Sequence, residues 1–305
     1  MVQLKQVSYR LKSIRNIQKI TKTMKMVSAS KFTKAERELK SARAFGYGPR
    51  KFYVSSHLQK DALDDEEKRD KKTKDDASPP QPAEDKKQGD EPKSKIRRIY
   101  IAMTSDRGLC GGVHTGVARR IRRTLTDRNA EAQTHKLVCI GDKARSMLRS
   151  AYSDHMLLSV KQIGRVSPIF KDASTVANAI AESGFPYDMA EIYYNKYHSP
   201  VKYEISTLPV FNKYSIEMAP NMHAFDDIEE DQLESYAEWT LAALLYYALK
   251  QSAASEQSAR MSAMDNATKN AADMIRDLSL LYNRTRQAVI TRELIEIISG
   301  ASALK

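Results

Sequence analysis

Apolar residues recur at Leu4, Val7, Leu11, Ile14, Ile17, Met24 and Val27, stepping mostly by threes and fours. That spacing predicts an α-helix with one apolar stripe from about residue 3 to about residue 45, where Gly46 and then Gly48-Pro49 supply stop signals. At ~1.5 Å per residue such a helix is ~60 Å long, more than a compact domain covers, so something else must cover part of it. The far end of the chain carries a companion pattern. From about Asp231 to Ser299 there is no Pro or Gly, and Met261, Met264, Thr268, Ala271, Ile275, Leu278, Tyr282, Thr285, Val289, Arg292 and Glu296 repeat at a spacing near 3.5. A single helix approaching ~100 Å is predicted there. Its seam mixes Ala, Ser and Thr with Leu and Met, which favours close backbone approach, and the two terminal helices would most simply pair antiparallel as a coiled coil.

Between them the texture is different. Short β-rich runs at Arg98–Met103, Lys136–Ile140, Met156–Val160, Glu191–Tyr197 and Lys202–Leu208 alternate with helical patterns at Val113–Thr126, Lys143–Ser150 and Ser174–Ser183. The fold class expected is therefore α/β: a long two-helix coiled coil with a small Rossmann-like domain and a partly parallel sheet between its helices. The divisions expected are a first coiled-coil helix at 1–55, a charged insertion at 56–95, the Rossmann-like domain at 96–225 and a second coiled-coil helix at 226–305. Within the insertion, Asp61 to Lys95 holds twelve acidic residues, nine basic residues and four prolines. Such a segment buries too little apolar surface to offset its ordering entropy and reads as a disordered loop.

Composition narrows the function classes. The 305 residues are 41% hydrophobic, enough for a core, and 50 Lys+Arg against 38 Asp+Glu give a formal charge of +12, which calls for an acidic partner. The first 35 residues hold nine Lys/Arg and no Asp/Glu, a composition that fits a basic working helix and is shared by mitochondrial transit peptides. Cys110 and Cys139 form no C-x-x-C pair and no disulfide framework. The longest apolar stretch, Leu241 to Leu249, is about half of the ~20 residues a membrane span requires. Six scattered histidines lack the spacing of a helical metal site.

One stretch raises a chemical question. Thr104-Ser105-Asp106-Arg107-Gly108-Leu109-Cys110-Gly111-Gly112 joins a predicted strand to a predicted helix, as phosphate-binding loops do. It lacks the Gly-Lys-Ser/Thr ending of a Walker loop and the G-x-G-x-x-G spacing of a dinucleotide site. Ser105, Asp106, Arg107, Gly108, Gly111 and Gly112 are therefore read as a structural turn, and no catalytic, cofactor-binding or metal-binding residue is assigned. No nucleic-acid module is recognisable, although a basic helix carrying Tyr9 and Phe32 keeps a nucleic-acid-binding protein in play. A coiled-coil adaptor and a nucleotide-binding enzyme built on the central domain are the other classes.

Three motifs in order carry a specific likeness. Arg10 to Lys31, reading RLKSIRNIQKITKTMKMVSASK, resembles the N-terminal helix of the γ subunit of the rotary F-type ATP synthase, mitochondrial branch. Tyr282 to Ala301, reading YNRTRQAVITRELIEIISGA, is similar to its C-terminal helix, and Ser105 to Gly112 is similar to its signature at the start of the α/β domain. The resemblance implies an antiparallel shaft inside a ring of α and β subunits, with the α/β domain outside the ring, beside δ/ε-type central-stalk subunits and the membrane rotor ring, on the matrix side of the mitochondrial inner membrane. It implies no catalysis by this chain alone, no bound nucleotide or cofactor, no nucleic acid and no membrane span. It implies that Lys19, Lys22, Lys25 and Lys31, with Met24 among them, face acidic loops of the ring. Arg286, Gln287, Thr291 and Glu293 become polar contacts to β. Ile297 and Ile298 enter an apolar collar, with Ile295, Ala301, Ala303 and Leu304 expected to lie around the helix and not along one stripe. The Asp61–Lys95 segment departs from the family pattern.

Overall fold

The computed structural model describes residues 2–59, 96–225 and 230–303. The charged segment at 61–95 lies outside the described residues. In chain order the elements are α1 (Val2–Ser55), β1 (Arg98–Met103), α2 (Val113–Asp127), β2 (His135–Ile140), α3 (Asp142–Tyr152), β3 (Met156–Val160), α4 (Phe170–Glu182), β4 (Met189–Tyr197), β5 (Tyr203–Phe211), α5 (Lys213–Glu217) and α6 (Glu230–Ala303). Two compact units form. Of the described residues, the helical unit contains 2–33, 109–111 and 257–303, and the larger unit contains 34–59, 96–108, 112–225 and 230–256.

The larger unit is built on a five-stranded sheet in the order β3-β2-β1-β4-β5. The first four strands run parallel, and β5 pairs antiparallel with β4 at one edge. Both faces of β1 are buried, as a parallel sheet with helices on each side demands. Ile99, Ile101 and Met103 point to one core, shared with Val176 and Ile180 of α4 and with Leu241, Leu244 and Leu245 of α6. Tyr100 and Ala102 point to the other, with Val117 and Ile121 of α2 and Leu148 of α3. The period-2 alternation of the strands and the 3.6 period of α2 and α3 thus meet in two apolar layers. A buried carboxylate closes the α2 side. Glu191 of β4 accepts from Arg98 at 2.8 Å, from Arg128 at 2.6 Å and from the Tyr193 hydroxyl at 2.6 Å.

The stop expected near residue 45 is corrected: α1 continues through Gly46, Gly48 and Pro49 to Ser55. Gly46 is used for close packing. A Cβ there would lie 2.6 Å from the Tyr247 ring of α6. Arg50 Nε donates to the Gly46 carbonyl at 2.7 Å. Pro49 removes one helical N–H donor, but Tyr53, fully buried in the sheet core, anchors the turn that follows. In the same unit Lys250 of α6 reaches Glu38 of α1 at 2.7 Å, with the Ser167 hydroxyl donating to the same carboxylate oxygen.

In the helical unit α1 and α6 run antiparallel. Thr21 and Thr268 hydroxyls meet at 2.8 Å, and Lys25 Nζ lies 2.6 Å from Asp265. Met261, Met264, Thr268, Ala271, Ile275, Leu278, Tyr282, Thr285 and Val289 of α6 are buried or half-buried, while Arg292 and Glu296, expected on the same seam, are exposed. On α1 the seam runs Leu4, Val7, Leu11, Ile14, Gln18, Thr21, Met24/Lys25, Ser28 and Phe32. Ile17 and Val27, expected on the stripe, are exposed instead. A seam that keeps the 3.5-residue period past Ile14 selects Gln18, Thr21 and Ser28 in their place.

Candidate functional site

The turn after β1 lies at the C-terminal edge of the sheet, next to the position between β1 and β4 where the strand order reverses. Ligands of doubly wound folds bind in the crevice at such a point. Here the chain's own polar groups take up the N-terminal donors of α3. The first three N–H groups of α3 are taken by three consecutive residues of the turn. Asp142 N–H donates to Asp106 Oδ1 at 2.7 Å, Lys143 N–H to the Ser105 carbonyl at 3.3 Å and Ala144 N–H to Thr104 Oγ1 at 3.0 Å. The other Asp106 oxygen accepts from Gln162 N–H at 2.6 Å, so one carboxylate joins the loops after β1, β2 and β3. A carboxylate on a helix N-terminus stands where an anionic ligand would.

Neighbouring residues make this arrangement tight. His114 Nε2 lies 3.2 Å from Ser105 Oγ and 3.1 Å from the Arg107 carbonyl, and Ser105 and His114 are both buried. On the β4 side, the crevice is filled by fully buried Asn195, whose Nδ2 donates to the Val113 carbonyl at 3.4 Å. Gly141 follows β2 with φ of 91°, and a Cβ there would lie 2.7 Å from the Ser105 backbone. Gly111 has φ of 63°, which glycine adopts at low cost, while Gly108 and Gly112 are exposed and Arg107 is half-buried. The sequence reading assigned the turn to these residues but missed Gly141 and Gln162. Its only signal for Gly141 was a glycine directly between a strand and a helix.

The second candidate surface is on the helical unit. Lys19, Lys22 and Lys31 are exposed on α1, and Met24 is half-buried at the seam. Lys25 is different from the other lysines, because its ammonium is held by Asp265 within the chain. Ile20 and Met26 join Ile17 and Val27 as large exposed apolar residues between the lysines. A long helix that leaves both kinds of side chain in water is suited to a partner with both apolar and acidic groups.

On α6, Arg286, Gln287, Thr291 and Glu293 are all exposed, and the Thr291 hydroxyl donates to the Gln287 carbonyl of its own helix at 2.9 Å. The pairing of Thr21 with Thr268 puts Leu4 near the level of Thr285, so the seam runs out at Val289. Residues 290–302 are exposed throughout their length. Ile297 is 67% exposed and Ile298 is 65% exposed, with Ile290, Leu294 and Ile295 also in water. At 3.6 residues per turn these five residues span an arc of roughly 160°, opposite Arg292, Glu293 and Glu296. These five residues form one broad face; the expectation of apolar residues all round the helix also rests on Ala303 and Leu304, whose side chains lie outside the described residues.

Comparison with known proteins gives this geometry a context. Residues 3–304 match the protein family described as ATP synthase. The chain is 46% identical over 304 residues to the mitochondrial ATP synthase subunit gamma of Drosophila melanogaster, covering 100% of this chain and 91% of that protein. It is 44% identical to the mitochondrial F(1) complex subunit gamma of Rattus norvegicus, covering 99% of both. Among solved structures it is similar to a chain in the central stalk and c-ring structure of the Tetrahymena thermophila mitochondrial ATP synthase. That match has a TM-score of 0.60 and 25% identity, and covers 81% of this chain and 99% of that one. A chain in the rotor of the Euglena gracilis mitochondrial ATP synthase shares the fold, with a TM-score of 0.71 at 19% identity over 94% of this chain and 99% of that one.

Proposed function

Because the chain belongs to the γ-subunit family of ATP synthase, we propose that it is the central-stalk subunit of a mitochondrial ATP synthase, coupling proton-driven rotation to the catalytic sites of the α/β ring. Full-length similarity to γ subunits is the observation that carries this reading. The chain performs no catalysis alone. Its partners are the α and β subunits, the small central-stalk subunits and the membrane rotor ring, and it works on the matrix side of the inner membrane. Among the described residues no helix is long and apolar enough to cross a membrane.

The mechanism follows from asymmetry and linkage. A two-helix coil has no symmetry matching that of a ring, so equivalent β subunits meet different faces of it. A face that binds one β conformation better than another shifts that site's nucleotide affinity by the same differential free energy, and rotation brings the bias to each site in turn. Lys19, Lys22 and Lys31 serve as charged contacts to acidic loops, and Arg286, Gln287, Thr291 and Glu293 as polar contacts that break and reform. The apolar face around Ile297 and Ile298 is a bearing surface, because apolar attraction is non-directional and does not resist turning.

Co-purification tests assembly. Tagged chain expressed with α and β subunits of a γ-deficient mitochondrial ATP synthase should recover a stoichiometric ring with ATPase activity. Recovery of the chain alone, or with an unrelated partner, would overturn the reading.

A further inference from the structure

The seam between α1 and α6 is weak where the two helices are most in need of fixing. Gln18, Thr21, Ser28, Thr268 and Ala271 present short or polar side chains, and apolar contact of this kind gives little directional resistance to sliding. Knobs that are small also fit neighbouring holes nearly as well as their own. Two directional contacts lie in this stretch, and one of them carries charge. Lys25 Nζ lies 2.6 Å from Asp265 Oδ1, with side-chain exposures of 45% and 31%, and Thr21 meets Thr268 one turn away.

We propose that Lys25 and Asp265 form a key that holds α1 at one sliding position against α6. The neighbours of the pair make the key selective. Sliding by one turn in one direction would bring Lys25 level with Lys269, turning attraction into repulsion. Sliding by one turn in the other direction would bring it level with Met261 and put Asp265 level with Thr21, so Lys25 loses its partner and Asp265 keeps only Lys269 of its own helix. A slide of a whole heptad, which would restore the seam pattern, sets Lys25 against Ser258 or Ala272 and Asp265 against Gln18 or Phe32. None of these carries a charge. A polar or charged group at a seam position is a well-attested means of specifying register. The key rests on the coil alone; under the central-stalk reading it also keeps the contact residues of α1 and α6 at fixed relative height while the shaft carries torque.

Asp265 is bonded to Lys269 on its own helix at 2.9 Å as well, so a change at Lys25 leaves the carboxylate partnered and the fold is expected to survive. The test uses the full chain without other subunits, which separates it from the test of the functional reading. Cysteine pairs are placed at the native level, Gln18→Cys with Ala271→Cys, and one turn away, Gln18→Cys with Ile275→Cys; native Cys110 and Cys139 are buried. The ratio of disulfide-formation rates, native pair over offset pair, reads the sliding position. Lys25→Ala should lower the ratio about threefold, the scale of a half-exposed pair, and Lys25→Glu should lower it further. Combining Lys25→Glu with Asp265→Lys should raise it again, though not to the native value, because a carboxylate at position 25 also attracts Lys269 one turn away. A ratio unchanged in Lys25→Ala, or a charge swap no better than Lys25→Glu alone, would overturn the key. If Lys25→Glu loses its helical circular dichroism, Lys25→Ala and the swap carry the same decision.

Discussion

Asp106 shows how one side chain can replace a ligand. Its two oxygens take backbone N–H groups from loops that follow different strands, at 2.7 and 2.6 Å. Asp106→Ala would leave both donors to water and free the start of α3, and a loss of about 2 kcal/mol is expected from denaturant unfolding, in line with hydrogen bonds to charged groups. Glu38 offers a second test at this scale. Burial works against its ionisation, but the hydrogen bonds from Lys250 and Ser167, with the charges of Lys250 and Lys34, outweigh it and hold the carboxyl below its ordinary range. Asp188, bonded to Arg97, is lowered in the same way against its own burial. A lowered native value means that the stabilisation is complete above the unfolded value and is lost as pH falls through the native one. Unfolding free energy should therefore decline as pH drops below ~4.3, and Glu38→Gln should flatten part of that decline. An unchanged slope in Glu38→Gln would show that the pair with Lys250 is not a source of acid sensitivity.

Periodicity made the elements legible where one rule acted alone. The β-rich run Arg98–Met103 and the 3.5 spacing from Met261 to Val289 needed only burial on two faces or on one seam, and both are present, whereas Arg292 and Glu296, expected to continue the spacing, are exposed. The rule failed where tertiary contacts outweighed it. Gly46 looks like a stop because glycine weakens helices by roughly 1 kcal/mol, yet its bare backbone is what admits the Tyr247 ring. Gly46→Ala should accordingly destabilise the chain by about 1–3 kcal/mol, although alanine is the better helix former. A stabilising Gly46→Ala, measured by thermal unfolding, would mean that the ring contact has no energetic weight. The seam residues Thr21 and Ser28 were illegible for a related reason: polar side chains carry no apolar signal, and only the phase continued from Leu4, Val7, Leu11 and Ile14 points to them. The role of Asp106 was half legible. Its place in a turn followed from residue type, but its second partner, Gln162, is 56 residues away in sequence.

For the whole molecule, the proposed reading puts the functional weight on side chains that the chain leaves in water: the five large apolar residues between Ile290 and Ile298 and the exposed lysines of α1. Ile297→Asp combined with Ile298→Asp should leave the isolated chain's stability nearly unchanged, since both residues are exposed. The same pair should impair coupled ATP synthesis in the assembled complex. Rotation itself is the most direct measurement of the central claim. An α/β ring assembled with this chain is fixed to a surface through β, and a visible probe is attached to the larger unit of the chain. ATP should drive stepwise, one-way rotation of the probe, with coupling weakened when Arg286 and Gln287 are both changed to Ala. Sustained ATP hydrolysis by the ring while the probe stays still, or only fluctuates at random, would contradict a shaft role for this chain.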